Sequence, residues 1–224
     1  PVMDKRLTGR IAYRASDGTE LGREFFELIN HSGGRILRAL CAMDDVSLLR
    51  DVSLSMRPDW TPEEGYCRVT KHGTQESTLW FRVEETGVRV DTQLGGEAHA
   101  QMVIETSQRL PYLGLHPLQG DAIIAQQRGT DAIGEFRAIE SVTNSVSPNG
   151  DEAPGGTRLE IDVAYMGEES ITVTAGTFQA RRYALRWRED WPAADLWVRD
   201  DNLFLLMRWS MIDTWYELTE WNEA

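Results

Sequence analysis

Apolar and polar residues alternate along most of the chain. Leu7, Gly9, Ile11 and Tyr13 fall on one side of an extended segment, and the residues between them fall on the other. Successive side chains of a β-strand point to opposite faces, so this period of two predicts strands with one packed face. The same alternation returns in further segments, at residues 37–43, 52–56, 79–83, 88–90, 98–104 and 159–165.

Turn signals separate these segments. They include Gly18, the pair Gly95–Gly96 and the pair Asn149–Gly150. Gly and Asn tolerate the positive φ that tight hairpins require. Short strands punctuated this regularly are typical of antiparallel meanders, sandwiches and barrels. We therefore predict a mainly β protein, in which a single strongly curved antiparallel sheet forms an open or closed barrel.

Two segments break the alternation. Pro111 and Pro117 interrupt residues 107–129, which predict a loop leading into a short helix. Asp121 is the expected N-cap of that helix, because its carboxylate can accept hydrogen bonds from the first free backbone N–H groups. Residues 147–156, rich in Pro, Gly and Asn, predict an exposed loop. Since neither side of this loop shows a self-sufficient pattern, we expect one domain over residues 1–224.

The C-terminal third contains a distinctive hairpin. Residues 171–183 read ITVTAGTFQARRY, and the segment Asp195-Leu196-Trp197-Val198 and an apolar strand at 203–207 follow. This text resembles uncharacterised bacterial families related to the lipoprotein-carrier and lipoprotein-localisation superfamily. The resemblance implies a strongly curved antiparallel sheet, a half-open barrel wrapped around a helix or loop, with an apolar concavity. It implies no catalytic residue.

The charge balance argues against some classes of partner. The chain carries 23 Lys and Arg against 36 Asp and Glu, a net charge of −13. Binding to nucleic acid needs clustered basic side chains that neutralise phosphates, so we expect no nucleic-acid partner. No apolar run approaches the roughly 18 residues of a transmembrane helix, so we expect no membrane span. The two cysteines, and opening residues that lack the pattern of a secretory signal, favour a cytoplasmic protein.

The irregular segment 107–129 carries the candidate group for acid–base chemistry. His116 lies in it, between Tyr112 and Asp121. A carboxylate that fixes an imidazole tautomer is a recurrent general-base arrangement, and a phenol nearby can polarise a carbonyl or protonate a leaving group. We assign His116 as the candidate acid–base, Asp121 as the group that orients it and Tyr112 as the group that polarises the substrate. The alternative is a His-Pro loop before a helix cap, which needs no function.

The sequence contains no recognisable cofactor motif. It has no Cys-x-x-Cys, no His-Glu-x-x-His and no calcium-loop spacing. It also lacks a Gly-rich nucleotide loop and a Gly-x-Ser-x-Gly nucleophile elbow. We therefore expect neither a metal nor a cofactor. Cys41 and Cys67 fall within strand patterns, where a buried thiol behaves as a small apolar residue.

Tryptophan is concentrated near the C-terminal end, where six of the eight follow residue 186. An indole supplies a large apolar area and one N–H donor, which suits a pocket for a ring-bearing or lipid-like ligand. The aromatic residues that we predict to bind a ligand are Tyr183, Trp187, Trp197 and Trp209. The alternative is that these side chains simply fill the core of the barrel.

Three functions are compatible with this sequence. The first is binding of a small hydrophobic or aromatic organic molecule in an aromatic-lined barrel cavity. The second is a cofactor-independent lyase, isomerase or hydrolase that acts on such a molecule through His116, Asp121 and Tyr112. The third is an interaction module, for example a homodimer formed through an exposed sheet edge.

Overall fold

The computed structural model describes residues 4–150 and 155–224. These residues form fifteen β-strands and two short helices, whose bounds are β1 Lys5–Ala15, β2 Glu20–His31, β3 Gly34–Met43, β4 Leu48–Met56, β5 Pro62–Lys71, β6 Thr74–Glu84, β7 Gly87–Leu94, β8 Ala100–Glu105, β9 Tyr112–Gly114, α1 Leu118–Asp121, α2 Ile124–Arg128, β10 Phe136–Thr143, β11 Thr157–Val173, β12 Gly176–Arg186, β13 Ala194–Val198, β14 Phe204–Trp209 and β15 Thr214–Glu223. No helix in these two ranges is long and apolar enough to cross a membrane.

All the described strands belong to one sheet, in the order β8-β7-β6-β5-β4-β3-β2-β1-β15-β14-β13-β12-β11-β10-β9. The paired strands are antiparallel, apart from the parallel pair β9–β10. Strand β1 pairs with β15, which joins the meander β1–β8 to the meander β9–β15 in one continuous wall. In the described residues no pairing joins the edge strands β8 and β9, so the barrel is not closed. The prediction of a single strongly curved antiparallel sheet is confirmed in its open form, with the pair β9–β10 as the parallel exception.

The alternation of the sequence accounts for this wall. In β4, Leu48, Val52, Leu54 and Met56 are buried, and the residues between them are partly or wholly exposed, except for Arg50. Apolar side chains on one face therefore build the core on the inner side of the curl, since burying them removes apolar surface from water. Arg50 shares this inner face and is 2% exposed.

The irregular segment between β9 and β10 lies inside the curl. Leu118 of α1 and Ile124 of α2 are both buried in the core. The prediction of a loop leading into a short helix agrees with α1 and α2. One continuous sheet connects the regions before and after this segment, and the single domain over residues 1–224 stays a prediction.

The N-cap assigned to Asp121 from the sequence is wrong. Helix α1 begins at Leu118 after Pro117, and Asp121 is its last residue. The capping carboxylate comes from another element, because Glu24 of β2 accepts hydrogen bonds from the backbone N–H groups of Leu118 at 2.7 Å and Gln119 at 3.0 Å. A side chain distant in sequence thus satisfies the free N–H groups that open this helix.

The segment predicted as an exposed loop, residues 147–156, falls partly outside the described residues. Within its described part Asn149 is exposed, but Gly150 is buried. Gly150 has a φ of +62° and lies so close to the His116 ring that a Cβ there would stand 2.2 Å from the ring's Cδ2. This part of the segment therefore packs onto the protein, which corrects the prediction of an exposed loop for Gly150.

Candidate functional site

A cavity of about 250 Å³ lies against the inner face of the sheet. Residues from both meanders line it, with Tyr13 of β1, Met43 of β3 and Tyr112 of β9 on its wall. The described part of segment 147–156 and helix α1 also contribute to the wall. The cavity is therefore formed by elements that are far apart in the chain and that only the curvature of the sheet brings together.

Three tryptophans form one side of the cavity. Trp187 follows β12, Trp191 lies in the next turn, and Trp209 ends β14. The ring centroid of Trp209 is 5.1 Å from that of Trp187 and 5.6 Å from that of Trp191. Both separations fall within the roughly 4.5–7 Å over which aromatic rings attract each other. The Trp209 indole N–H donates to the carbonyl of Pro192 at 2.7 Å, so its polar atom is satisfied and its ring is held in place.

Two of the predicted ligand-binding residues lie elsewhere. Trp187 and Trp209 line the cavity, whereas Tyr183 and Trp197 are not among the residues that line it. Tyr183 is 1% exposed and its hydroxyl donates to the carbonyl of Gly129 at 3.2 Å. The Trp197 indole donates to Glu169 at 2.6 Å. Both side chains thus have structural contacts away from this cavity.

The three residues of the candidate acid–base group all lie on the cavity wall. Their hydrogen bonds differ from the predicted pairing. The Tyr112 hydroxyl donates to Oδ1 of Asp121 at 3.0 Å, and the His116 Nδ1 is 2.9 Å from Oδ1 of Asn144. The carbonyl oxygen of Asn144 can only accept, so Nδ1 of His116 carries the proton. Asn144, and not Asp121, therefore holds the orientation of the imidazole.

The environment of His116 favours its neutral form. Burial, followed by the positive charge of Arg50, lowers the pKa of His116 to about 3. Desolvation penalises the imidazolium, and a nearby cation repels it. Arg50 is positioned on the same side of the cavity, where its guanidinium donates to the carbonyl of Gly150 at 2.5 Å. At neutral pH His116 is thus an uncharged, oriented side chain.

Asp121 has the opposite shift. Burial raises the pKa of Asp121 to about 8, the hydrogen bond from Tyr112 partly opposes this, and the negative charge of Glu24 adds to it. A carboxyl group in this state is largely protonated at pH 7 and titrates close to neutrality. The cavity therefore contains a titratable group near physiological pH, and that group is Asp121 rather than His116.

Several residues of this site were not predicted from the sequence. Glu24 accepts hydrogen bonds from the first N–H groups of helix α1. Arg50 lines the cavity wall together with His116, and Trp191 belongs to the tryptophan cluster. Glu24 carried a signal, because it shares one face of β2 with the buried Phe26 and Leu28. A charged residue on an apolar face is rarely buried without partners, so its position marked a contact with another element.

The described residues show no ready metal site. Across residues 4–150 and 155–224, no group of three or more His, Cys, Asp or Glu side chains is placed to hold a metal ion. The cysteines are both free and buried, and burial raises the pKa of the Cys41 and Cys67 thiols. A thiol whose pKa is raised forms little thiolate, which is the reactive species.

Comparison with known proteins supports the architecture. No family model matches the sequence, and no curated protein matches it. The chain is similar to the crystal structure of a β-barrel-like protein of domain of unknown function DUF1849 from Brucella abortus, with a TM-score of 0.60, 9% identity, and coverage of 100% of this chain and 98% of that chain. A DUF1089 family protein from Pseudomonas aeruginosa aligns with a TM-score of 0.48 and 13% identity over 81% of this chain and 87% of that chain.

The likeness to the Brucella abortus protein shows a shared β-barrel-like fold. It agrees with the half-open barrel that the resemblance to bacterial lipoprotein-carrier relatives implied. Membership of that superfamily stays a prediction, and so does a cytoplasmic location.

Proposed function

We propose that this protein binds a small hydrophobic or aromatic organic molecule in the cavity beside Trp187, Trp191 and Trp209. The observation that carries the proposal is the cavity of about 250 Å³, whose mostly apolar wall combines this tryptophan cluster with several polar side chains, among them His116 and Asp121. Concave sites with mostly apolar walls and a few placed polar groups are the usual form of small-molecule sites.

The volume limits the size of the ligand. An apolar cavity of roughly 150 Å³ accommodates benzene, and drug-sized ligands occupy roughly 300 Å³ or more. A cavity of about 250 Å³ therefore suits a molecule with one or two rings. Burying about 200 Å² of apolar ligand surface stabilises the complex by roughly 5 kcal/mol before ordering is subtracted. The expected dissociation constant is therefore no tighter than about 0.2 mM, in the submillimolar to millimolar range.

Native mass spectrometry of freshly purified protein is the first test. A retained molecule gives a mass above that of the chain, and extraction into organic solvent identifies it. Added ethylbenzene or indole, followed by saturation-transfer NMR, tests the same cavity when the purified protein carries nothing. Absence of both a retained molecule and any binding of these probes would overturn the proposal.

A matched pair of variants locates the site. Trp187→Ala removes one aromatic wall of the cavity and should weaken ethylbenzene binding roughly three- to tenfold, the value of about one aromatic contact. Trp80→Ala is the control, because Trp80 is 38% exposed and does not line this cavity. Equal affinities for the two variants would place the ligand outside the cavity.

The second candidate function is a cofactor-independent lyase, isomerase or hydrolase. It is favoured by the position of His116, Asp121 and Tyr112 on the wall of one cavity. A general acid or base works best when its pKa is near the operating pH. With pKa values of about 8 for Asp121 and about 3 for His116, the proton-transfer role falls to Asp121, and Tyr112 is the adjacent donor.

Turnover of the retained molecule tests this second candidate. The extracted molecule is returned to the protein and followed by NMR over several hours. Conversion that disappears in Asp121→Asn even when the molecule is added at a saturating concentration supports the enzyme. Stable signals from the wild-type protein would leave binding as the function.

A further inference from the structure

We propose that Asp121 forms an ion pair with an amino group of the bound molecule, so that the ligand is a small aromatic or apolar amine. The inference rests on the proposed binding function and names the chemical class of the ligand. The amino group would lie beside the polar side chain of Asp121, and the apolar part of the ligand would contact the tryptophan cluster.

The geometry of Asp121 leaves one oxygen available. Its Oδ1 accepts from the Tyr112 hydroxyl at 3.0 Å, and its Oδ2 has no hydrogen-bond partner among the described residues. Asp121 lies on the cavity wall at the end of α1. Asp121 is partly buried, and a carboxylate oxygen that faces a mostly apolar cavity gains from a hydrogen-bond donor there. An ammonium group supplies both a donor and a compensating charge.

The charged and titratable groups around Asp121 favour a cation there. The groups that act on it from neighbouring elements are Tyr112 of β9, Glu24 of β2 and Tyr216 of β15. Glu24 is an acid, and the phenol rings of Tyr112 and Tyr216 line the same cavity. An anionic neighbour and aromatic faces both attract an ammonium ion.

The two arginines that line the cavity, Arg50 and Arg188, contact groups other than Asp121. Arg188 donates to both carboxylate oxygens of Asp190, each at 3.0 Å. Arg50 lies beside His116 and Gly150, and its charge acts on the pKa of His116 but is not among the causes of the shift at Asp121. Among the described residues that line the cavity, Asp121 is the acidic one, and the two arginines of the wall contact other groups.

Binding of an amine should change the protonation of Asp121. Burial raises the pKa of Asp121 to about 8, so the carboxyl is mainly protonated at pH 7. An ammonium ion that binds there stabilises the carboxylate, and the displaced proton passes to the buffer. Binding of an amine therefore releases close to one proton per site at pH 7. As pH increases toward 8, the affinity for the amine increases by up to tenfold per pH unit.

Three probes of similar shape test the ligand class by calorimetry: ethylbenzene, 2-phenylethanol and 2-phenylethylamine. We expect the amine to bind roughly ten- to hundredfold more tightly than the alcohol, as for a charge-assisted hydrogen bond. Titration in two buffers of different ionisation enthalpy measures the proton released. Asp121→Asn should abolish the preference for the amine, whereas Asp131→Asn, an exposed aspartate away from the cavity, should leave it unchanged.

The outcomes distinguish failure of the amine proposal from failure of the proposed binding function. Binding of ethylbenzene or the alcohol with equal or weaker binding of the amine overturns the amine proposal and leaves the binding function intact. Failure of all three probes counts against both. If Asp121→Asn does not fold, the ranking of the probes and the proton release by the wild-type protein decide, and amine binding without proton release at pH 7 contradicts the proposal.

Discussion

The carboxyl of Asp121, which faces the cavity, should make the stability of the protein depend on pH. Burial raises the pKa of Asp121 to about 8 in the folded protein, whereas an aspartate in the unfolded chain titrates near 4. The folded state therefore binds more protons than the unfolded state between these two values, and stability falls as pH rises through this window. Asp121→Asn removes this contribution and retains an oxygen that can accept from Tyr112.

Comparison of the wild-type protein with Asp121→Asn over the interval from pH 6.5 to 7.5 isolates Asp121 from His116. The pKa of His116 is lowered to about 3 in the fold, so its effect on stability has the opposite sign and extends above the unfolded-state pKa of about 6.5. Both proteins contain His116, so this effect cancels in their difference. Over that interval a carboxyl with a pKa of about 8 lowers the free energy of unfolding by about 1 kcal/mol. The wild-type protein should lose this amount relative to Asp121→Asn.

Urea denaturation at pH 6.5, 7.0 and 7.5, followed by far-ultraviolet circular dichroism, measures the difference. With a urea dependence of roughly 2–3 kcal/mol per molar, the expected change corresponds to roughly 0.4 M in the midpoint. Asp131→Asn serves as the control, because Arg137 holds the pKa of Asp131 below its usual value and the residue stays ionised throughout. Parallel pH dependences of the wild-type protein and Asp121→Asn would refute the assignment of a raised pKa to this carboxyl.

Three further predictions concern residues around the cavity and the core. Glu24→Ala should lower the free energy of unfolding by about 2–4 kcal/mol in urea denaturation, because the buried N–H groups that open α1 lose their acceptor; an unchanged midpoint would contradict that role. Gly150→Ala should destabilise the protein by about 1–3 kcal/mol in the same assay, since the new Cβ meets the His116 ring, and a neutral effect would mean that this loop readily moves away. Cys41 and Cys67 should react with a thiol reagent only after unfolding, because burial raises the pKa of both thiols; rapid labelling of the folded protein would contradict their burial.

The wall of the barrel was predictable from local patterns. In a strand such as β4, the buried positions recur at every second residue and all but Arg50 are apolar, and this period is a property of any extended backbone. The turns were equally local, since Gly18 takes a φ of +86° between β1 and β2. The interior segment was recognised by its prolines, but its cap was misassigned because the capping group, Glu24, is supplied by β2 and not by the segment itself.

The candidate site was predictable only in part. The types of residue in segment 107–129 pointed to Tyr112, His116 and Asp121, and the structure brings all three to one cavity. Their hydrogen-bond partners depend on distances across the sheet, as the bond between His116 and Asn144 illustrates. Tyr183 and Trp197 share the strand pattern of the other aromatic candidates, yet they do not line the cavity.

The sequence by itself determined that this chain forms strands with one apolar face, joined by glycine turns, because both properties depend on neighbouring residues. Tertiary structure decided that β1 pairs with β15, that the sheet stays open between β8 and β9, and which side chains share a cavity. It also decided the charge states of Asp121 and His116. The physical reason is that desolvation and Coulomb interactions depend on separation in space, which alternation along the chain does not encode.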